Sequence, residues 1–225
     1  MIQYHTHLDQ GSDEWLAARC GLLTASEMKL IVTPTLKVAS NDKERAHLYE
    51  LLAQRITRYV EPTYIGDDML RGREDEVEAR ILYDQHYGRV TDVGFITNDR
   101  WGFTLGYSPD GLVGDDGLIE CKSRRQKYQV ETICGGAMPL DYALQVQTGL
   151  LVSERKWCDF ISYSGGLPMA TIRVFPDASI QDAIIEAAAA FEARLAERLA
   201  QYEAAQSSGL RLLPTTRRAE VEITI

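Results

Sequence analysis

Apolar residues recur every three or four positions over several stretches of the chain and alternate in its middle third, a change of period that predicts helices flanking a sheet. Residues 12–21, SDEWLAARCG, place a capping serine ahead of two acids and end on Gly21, the pattern of a short helix. In TASE, Thr24 and Glu27 have the spacing of a capping box, so a second helix starts there. Residues 31–42, IVTPTLKVASND, mix Pro34 with small and polar side chains and predict a mobile loop from which Lys37 and Lys43 can reach a phosphate. Helical spacing resumes over residues 43–60 through Leu48, Leu51, Leu52, Ile56 and Tyr59 and closes before Pro62. It returns over residues 71–87, where Val77, Ile81 and Leu82 form the apolar stripe, Glu76 sits in a crowded charged half, and Gly88 is the stop.

Beyond Gly88 the period shortens. VTDVGFITN, WGFTLGYS and GLIECKS read as three strands, and KWCDFISYS and MATIRVF as two more after helices over residues 126–134 and 140–153. That order gives a five-stranded mixed sheet flanked by helices, an α/β arrangement in a single domain spanning residues 1–225. A long helix fits residues 179–205, with Ile184, Ala188, Phe191, Leu195, Leu199 and Tyr202 on a seam that suits internal packing or a second subunit equally. VEITI at the end alternates as a terminal edge strand.

Composition narrows the function classes. Of 225 residues, 45% are hydrophobic, enough for a large buried core, which excludes disorder as the main state. The formal net charge of −9 is the reverse of a protein that coats DNA. Distribution governs steering, however, and an acidic chain with its carboxylates gathered in one cleft and basic residues along a track still binds nucleic acid. No secretory leader and no apolar run of membrane-spanning length is expected. Cys20, Cys121, Cys134 and Cys158 lack metal-ligand spacing and read as buried reduced thiols of a cytoplasmic protein.

Candidate chemistry concentrates in GYSPDGLVGDDGLIECKS, where a Pro–Asp pair precedes by ten positions an acid two places before a lysine. Taken singly, PDG is an ordinary turn and an ExK on a strand an ordinary solvated face. Together, on successive strands and beside an apolar LI pair, they mean more. Residues i and i+2 of a strand share a face about 6.6 Å apart, so Glu120 and Lys122 project together while Cys121 turns into the core. Asp110, at the end of the preceding strand, can meet them. Two carboxylates on adjacent strands suit Mg²⁺ or Mn²⁺, and the ammonium can orient or help deprotonate a water, the parts needed to hydrolyse a phosphodiester.

These residues resemble the PD-(D/E)XK nuclease superfamily and, within it, the phage lambda exonuclease family of viral recombination nucleases. WLAARCGLLTASE resembles that family's N-terminal pattern, GREDEVEAR its helix motif and ALQVQTGL the helix after the site, so the resemblance covers residues 10–175. It implies a restriction-endonuclease-like core in which Asp110, Glu120 and the backbone carbonyl of Cys121 bind metal, Lys122 is catalytic, Glu76 adds a carboxylate and Gln145 lies near the attacking water. It also implies a 5′-phosphate pocket at Arg19 and Ser26. A helix N-terminus offers free N–H groups there, although simple capping explains TASE equally well. Trp15 could stack on a base, or pack in the core as single tryptophans commonly do. The loop at residues 31–42 offers DNA a lysine, Lys37, but no arginine, which puts strand separation by an inserted side chain in doubt. His5, His7, His47 and His86 match nothing catalytic and read as surface or packing residues.

The activity this resemblance implies is a Mg²⁺-dependent 5′ to 3′ exonuclease, with Mn²⁺ as a substitute, that degrades one strand of linear double-stranded DNA to 5′-mononucleotides. It further implies a homotrimeric ring and a single-strand annealing protein as partner, which takes up the 3′ tails in a bacterial or phage-infected host cytoplasm. The alternatives are a structure-specific or restriction-type endonuclease, which would cut closed circles, and a non-enzymatic DNA-end-binding module.

Overall fold

The computed structural model describes residues 1–62 and 66–217. Its elements run β1 (Ile2–His5), α1 (Asp13–Arg19), β2 (Leu23–Thr24), a 3₁₀ turn (Ala25–Glu27), α2 (Met28–Ile31), α3 (Asp42–Thr57), α4 (Asp67–His86), β3 (Val90–Thr91), β4 (Phe95–Asn98), β5 (Leu105–Tyr107) and β6 (Gly111–Val113). The second half adds β7 (Gly117–Ser123), α5 (Gln126–Gly135), a 3₁₀ turn (Leu140–Tyr142), α6 (Ala143–Ser153), β8 (Trp157–Tyr163), β9 (Ala170–Val174) and α7 (Ala178–Gln206). The terminal VEITI lies outside the described residues.

A five-stranded mixed sheet has the order β3-β6-β7-β8-β9, with β7 and β8 parallel and the remaining pairs antiparallel. A second sheet, β1-β4-β5-β2, is absent from the sequence expectation. VTDVGFITN divides into β3 and β4, which join different sheets, and WGFTLGYS supplies β5 of the four-stranded one. The chain crosses between sheets at Gly94, where an added Cβ would lie 1.9 Å from the Leu8 carbonyl oxygen, so only glycine lets the two segments pass.

Local chemistry explains most helix ends. Ser12 accepts from the Trp15 N–H, Asn41 from those of Lys43 and Glu44, and Asp177 from those of Ser179 and Ile180. Arg58, at φ +54°, ends α3 ahead of Pro62. TASE forms only the 3₁₀ turn and the single turn of α2. Residues 31–42 are hydrogen-bonded rather than loose: Val32 bridges Val38, the Thr33 N–H donates to the Lys37 carbonyl, and the Thr33 hydroxyl accepts from the Lys37 N–H.

The core joins both sheets and α6 to α7 through Leu23, Met28, Ile96, Leu105, Leu118, Val146, Phe160 and Phe191. Ile184, Ala188, Phe191 and Leu195 are buried, so the inner part of the α7 seam packs internally, each large side chain contributing about 1.5–3 kcal/mol. The four thiols are free, but only Cys121 and Cys158 are buried; Cys20 is half-buried and Cys134 exposed. No helix among the described residues is long and apolar enough to cross a membrane.

Candidate active site

Strand parity on β7 sorts the central side chains. Ile119 and Cys121 face a small cluster with Ala79 and Tyr83 of α4 and Ile161 of β8, whereas Leu118 belongs to the main core and Glu120 and Lys122 share its face. Glu120 is only 1% exposed and is held at both oxygens. Its Oε1 accepts from Lys122 Nζ at 2.7 Å and from the Gln145 amide of α6, and its Oε2 accepts from the Tyr107 hydroxyl at 2.8 Å. Asp110, which follows β5, reaches the same point from the neighbouring strand and accepts the Cys121 N–H at Oδ2, 2.5 Å away. Its Oδ1 accepts no hydrogen bond among the described residues.

Charge accumulates where these groups meet. Burial pushes the Asp110 carboxyl well above the usual carboxylate range, with Glu120 and Glu76 adding to the rise and Lys122 opposing it. Burial likewise raises Glu76; Arg80 opposes, and Glu120 adds. For Lys122, burial pulls the pKa down, but Glu120 and Asp110 outweigh it and hold the ammonium above its ordinary pKa. Thus Asp110, Glu120, Lys122, Gln145 and Glu76 are brought together.

Excess negative charge on hard oxygen donors is the chemistry that Mg²⁺ or Mn²⁺ satisfies, so the residues present fit such an ion. Among the described residues, no three His, Cys, Asp or Glu side chains form a ligating group by themselves. The fit therefore rests on the carboxylates of Asp110 and Glu120, with Glu76 as a neighbour that adds to the field.

Arg19 and Ser26 gather at a second point. The Arg19 guanidinium donates to the Ser108 hydroxyl at 3.2 Å and to the Thr24 hydroxyl at 3.1 Å, and the Ser26 hydroxyl lies 3.4 Å from that of Thr24. Burial lowers the Arg19 pKa, and the nearby Glu27 opposes the change. Trp15 has its ring centre 4.3 Å from the Arg19 guanidinium, and its indole N–H donates to Gly94 O and Ser108 Oγ, each at 3.0 Å. It is a platform for Arg19. The Thr24 N–H is taken by Glu27 and the helix beyond is one turn long, so side chains rather than a helix N-terminus form this site. Lys37 stands exposed on the turn between Val32 and Val38.

One cleft of about 740 Å³ connects the two points, with Ser26 and Lys29 lining one part and Lys122, Tyr142 and Gln145 another. Sequence reasoning missed Lys29, Tyr107, Ser108 and Tyr142. Tyr107 and Ser108 immediately precede the Pro–Asp pair, and their position beside the motif was the available signal. Tyr142 pairs its ring with Lys122 at 5.8 Å and accepts from Arg124 at 2.7 Å.

A family model described as the YqaJ-like viral recombinase domain matches residues 14–156. That span contains Arg19, Ser26, Glu76, Asp110, Glu120, Lys122 and Gln145. Among solved structures, the alkaline exonuclease LHK-Exo of Laribacter hongkongensis is 34% identical, with a TM-score of 0.76, over 88% of this chain and 100% of that one. The same exonuclease in complex with dAMP matches over the same extents with a TM-score of 0.77. A phage-related exonuclease from Haemophilus somnus 129PT, 12% identical over 80% of this chain and 96% of that one, has a TM-score of 0.59 and shares the fold. A search of curated proteins finds no match.

Proposed function

The chain belongs to the YqaJ-like viral recombinase domain family, and from that premise we propose that it is a DNA exonuclease working 5′ to 3′ on one strand of linear duplexes. The reading includes a requirement for Mg²⁺, for which Mn²⁺ substitutes, and 5′-mononucleotide products. The observation that carries it is the single cleft with Ser26 at one part and Lys122 and Gln145 at another. It allows a terminal phosphate to be held while a bond further along the strand is attacked. The likeness to an exonuclease whose structure has been solved with dAMP supports mononucleotide release.

A divalent ion held by Asp110, Glu120 and the Cys121 carbonyl would polarise the phosphodiester and offset charge developing on the leaving oxygen. Lys122, kept protonated by Glu120 and Asp110, sets a fixed positive charge beside the scissile phosphate and orients the nucleophilic water. Gln145 uses its amide N–H on Glu120, which leaves its carbonyl oxygen to accept a hydrogen bond from that water. Arg19, which spends two of its five donors on Ser108 and Thr24 among the described residues, and Ser26 receive the 5′-phosphate, and Lys37 meets the backbone outside the cleft. A homotrimeric ring around the duplex, an annealing protein for the 3′ tails and a bacterial or phage-infected cytoplasm complete the proposal.

The test is digestion of end-labelled linear duplex, with and without a 5′-phosphate, in Mg²⁺ or EDTA, beside a closed circle. Mononucleotides released from phosphorylated 5′ ends only when Mg²⁺ is present are expected. Cutting of the circle would replace the proposal with the endonuclease alternative, and binding to ends without release would replace it with the end-binding module.

A further inference from the structure

Arg19 touches neutral hydroxyls in its pocket, and something must decide which way those hydroxyls point. Glu27 does so. Its Oε2 accepts both the Thr24 hydroxyl at 2.8 Å and the Thr24 backbone N–H at 3.3 Å. A hydroxyl has one proton, and Thr24 commits it to Glu27, so toward Arg19 the Thr24 oxygen is an acceptor only. Toward Ser26, 3.4 Å away, it is again an acceptor, so any bond between the two uses the Ser26 proton. Glu27 is confined from behind by His47 of α3, 2% exposed, whose Nε2 lies 3.7 Å from the same carboxylate oxygen while its ring stacks on Phe191.

We propose that Glu27 is the positioning residue of the end-recognition pocket: by holding Thr24 as an acceptor it aims the Arg19 guanidinium at the terminal phosphate, and it thereby sets the preference for phosphorylated 5′ ends. This rests on the reading of Arg19 and Ser26 as phosphate-binding. Glu27 itself never touches DNA, and its negative charge works against anion binding. A purely electrostatic role therefore predicts that neutralising it strengthens the preference, whereas positioning predicts that only loss of the acceptor weakens it.

The experiment compares initial rates on 5′-phosphorylated and 5′-hydroxyl linear duplexes for the wild type and for Arg19→Ala, Glu27→Ala, Glu27→Gln and Thr24→Val. Glu27→Ala and Thr24→Val are expected to reduce the preference for phosphorylated ends about tenfold, the size of one hydrogen bond to a charged group, through KM for those ends rather than kcat. Glu27→Gln, whose amide oxygen still accepts from Thr24, is expected to retain it. An equal loss on both substrates, or a Glu27→Gln variant as impaired as Glu27→Ala, overturns the proposal. Thr24→Val keeps the side-chain volume and decides the matter if Glu27→Ala does not fold. If Arg19→Ala erases the preference while Glu27→Ala and Thr24→Val keep it, the positioning role is wrong and the pocket stands. If Arg19→Ala keeps it, the pocket reading itself has failed.

Discussion

Of the two carboxylates that β6 and β7 bring together, Glu120 accepts three hydrogen bonds and Asp110 one, so removing them acts on stability in opposite directions. Asp110→Asn deletes a carboxylate that burial and two neighbouring acids already disfavour, and the apo protein is expected to melt at a higher temperature in EDTA. The same change should lower turnover by about 10²–10³-fold or more, because a ligand to the ion and its field is lost. Glu120→Ala leaves Lys122, the Tyr107 hydroxyl and the Gln145 amide without their acceptor, at a cost of about 3–5 kcal/mol. Thermal melting of both variants checks the contrast; equal shifts of the same sign would show that the two acids share one environment. Lys122→Met should keep Mn²⁺ affinity in calorimetry while kcat collapses, and loss of affinity would make Lys122 a structural part of the ion site. Asp110, Glu120 and Lys122 were legible because strand parity and spacing are local properties. Tyr107 was not, since nothing in GYSPD says that its hydroxyl crosses to Glu120 on β7.

At the scale of elements, α6 links the site to the core through one face. Gln145 and Gly149 lie four positions apart on it, the first on Glu120 and the second against Tyr107, another residue bound to Glu120. A Cβ at Gly149 would come within 2.7 Å of the buried Tyr107 ring. Gly149→Ala gains roughly 0.5–1 kcal/mol of helix preference but incurs about 1–3 kcal/mol of overpacking. The expected result is a modest fall in melting temperature and a clear fall in kcat, because two of the three side chains that hold Glu120 shift. A variant with higher stability and full activity would show that α6 yields freely. Helix positions were readable where caps and periodicity agreed, as in α7, expected over residues 179–205 and found at Ala178–Gln206. The four-stranded sheet was not, because β1 is a four-residue strand whose partner β4 lies some ninety positions away, and short strands paired at such distance leave no periodic trace. For the same reason the passage from β3 to β4 looked like one strand until Gly94 placed them in separate sheets.

The whole molecule must reconcile a net charge of −9 with a polyanionic substrate. Lys29 and Lys122 at the cleft, with Arg19 beside Ser26 and Lys37 outside, can engage only a few phosphates, and the net negative charge opposes the approach of the duplex. A monomer binding in this way would leave DNA readily, and more so as salt screens its few contacts, because affinity falls steeply with salt in proportion to the phosphates neutralised. In the proposed homotrimeric ring, by contrast, release requires threading off an end, so salt should act on engagement and not on retention. Raising salt from about 50 to 200 mM is therefore expected to reduce the rate of initiation on a labelled linear duplex. The number of nucleotides removed per binding event, measured after adding an excess of unlabelled duplex as a trap, should stay nearly constant over the same range. If that number falls in parallel with initiation, retention is electrostatic and the ring is ruled out as the source of processivity; a sedimentation mass equal to the 25.3 kDa monomer would exclude the ring independently.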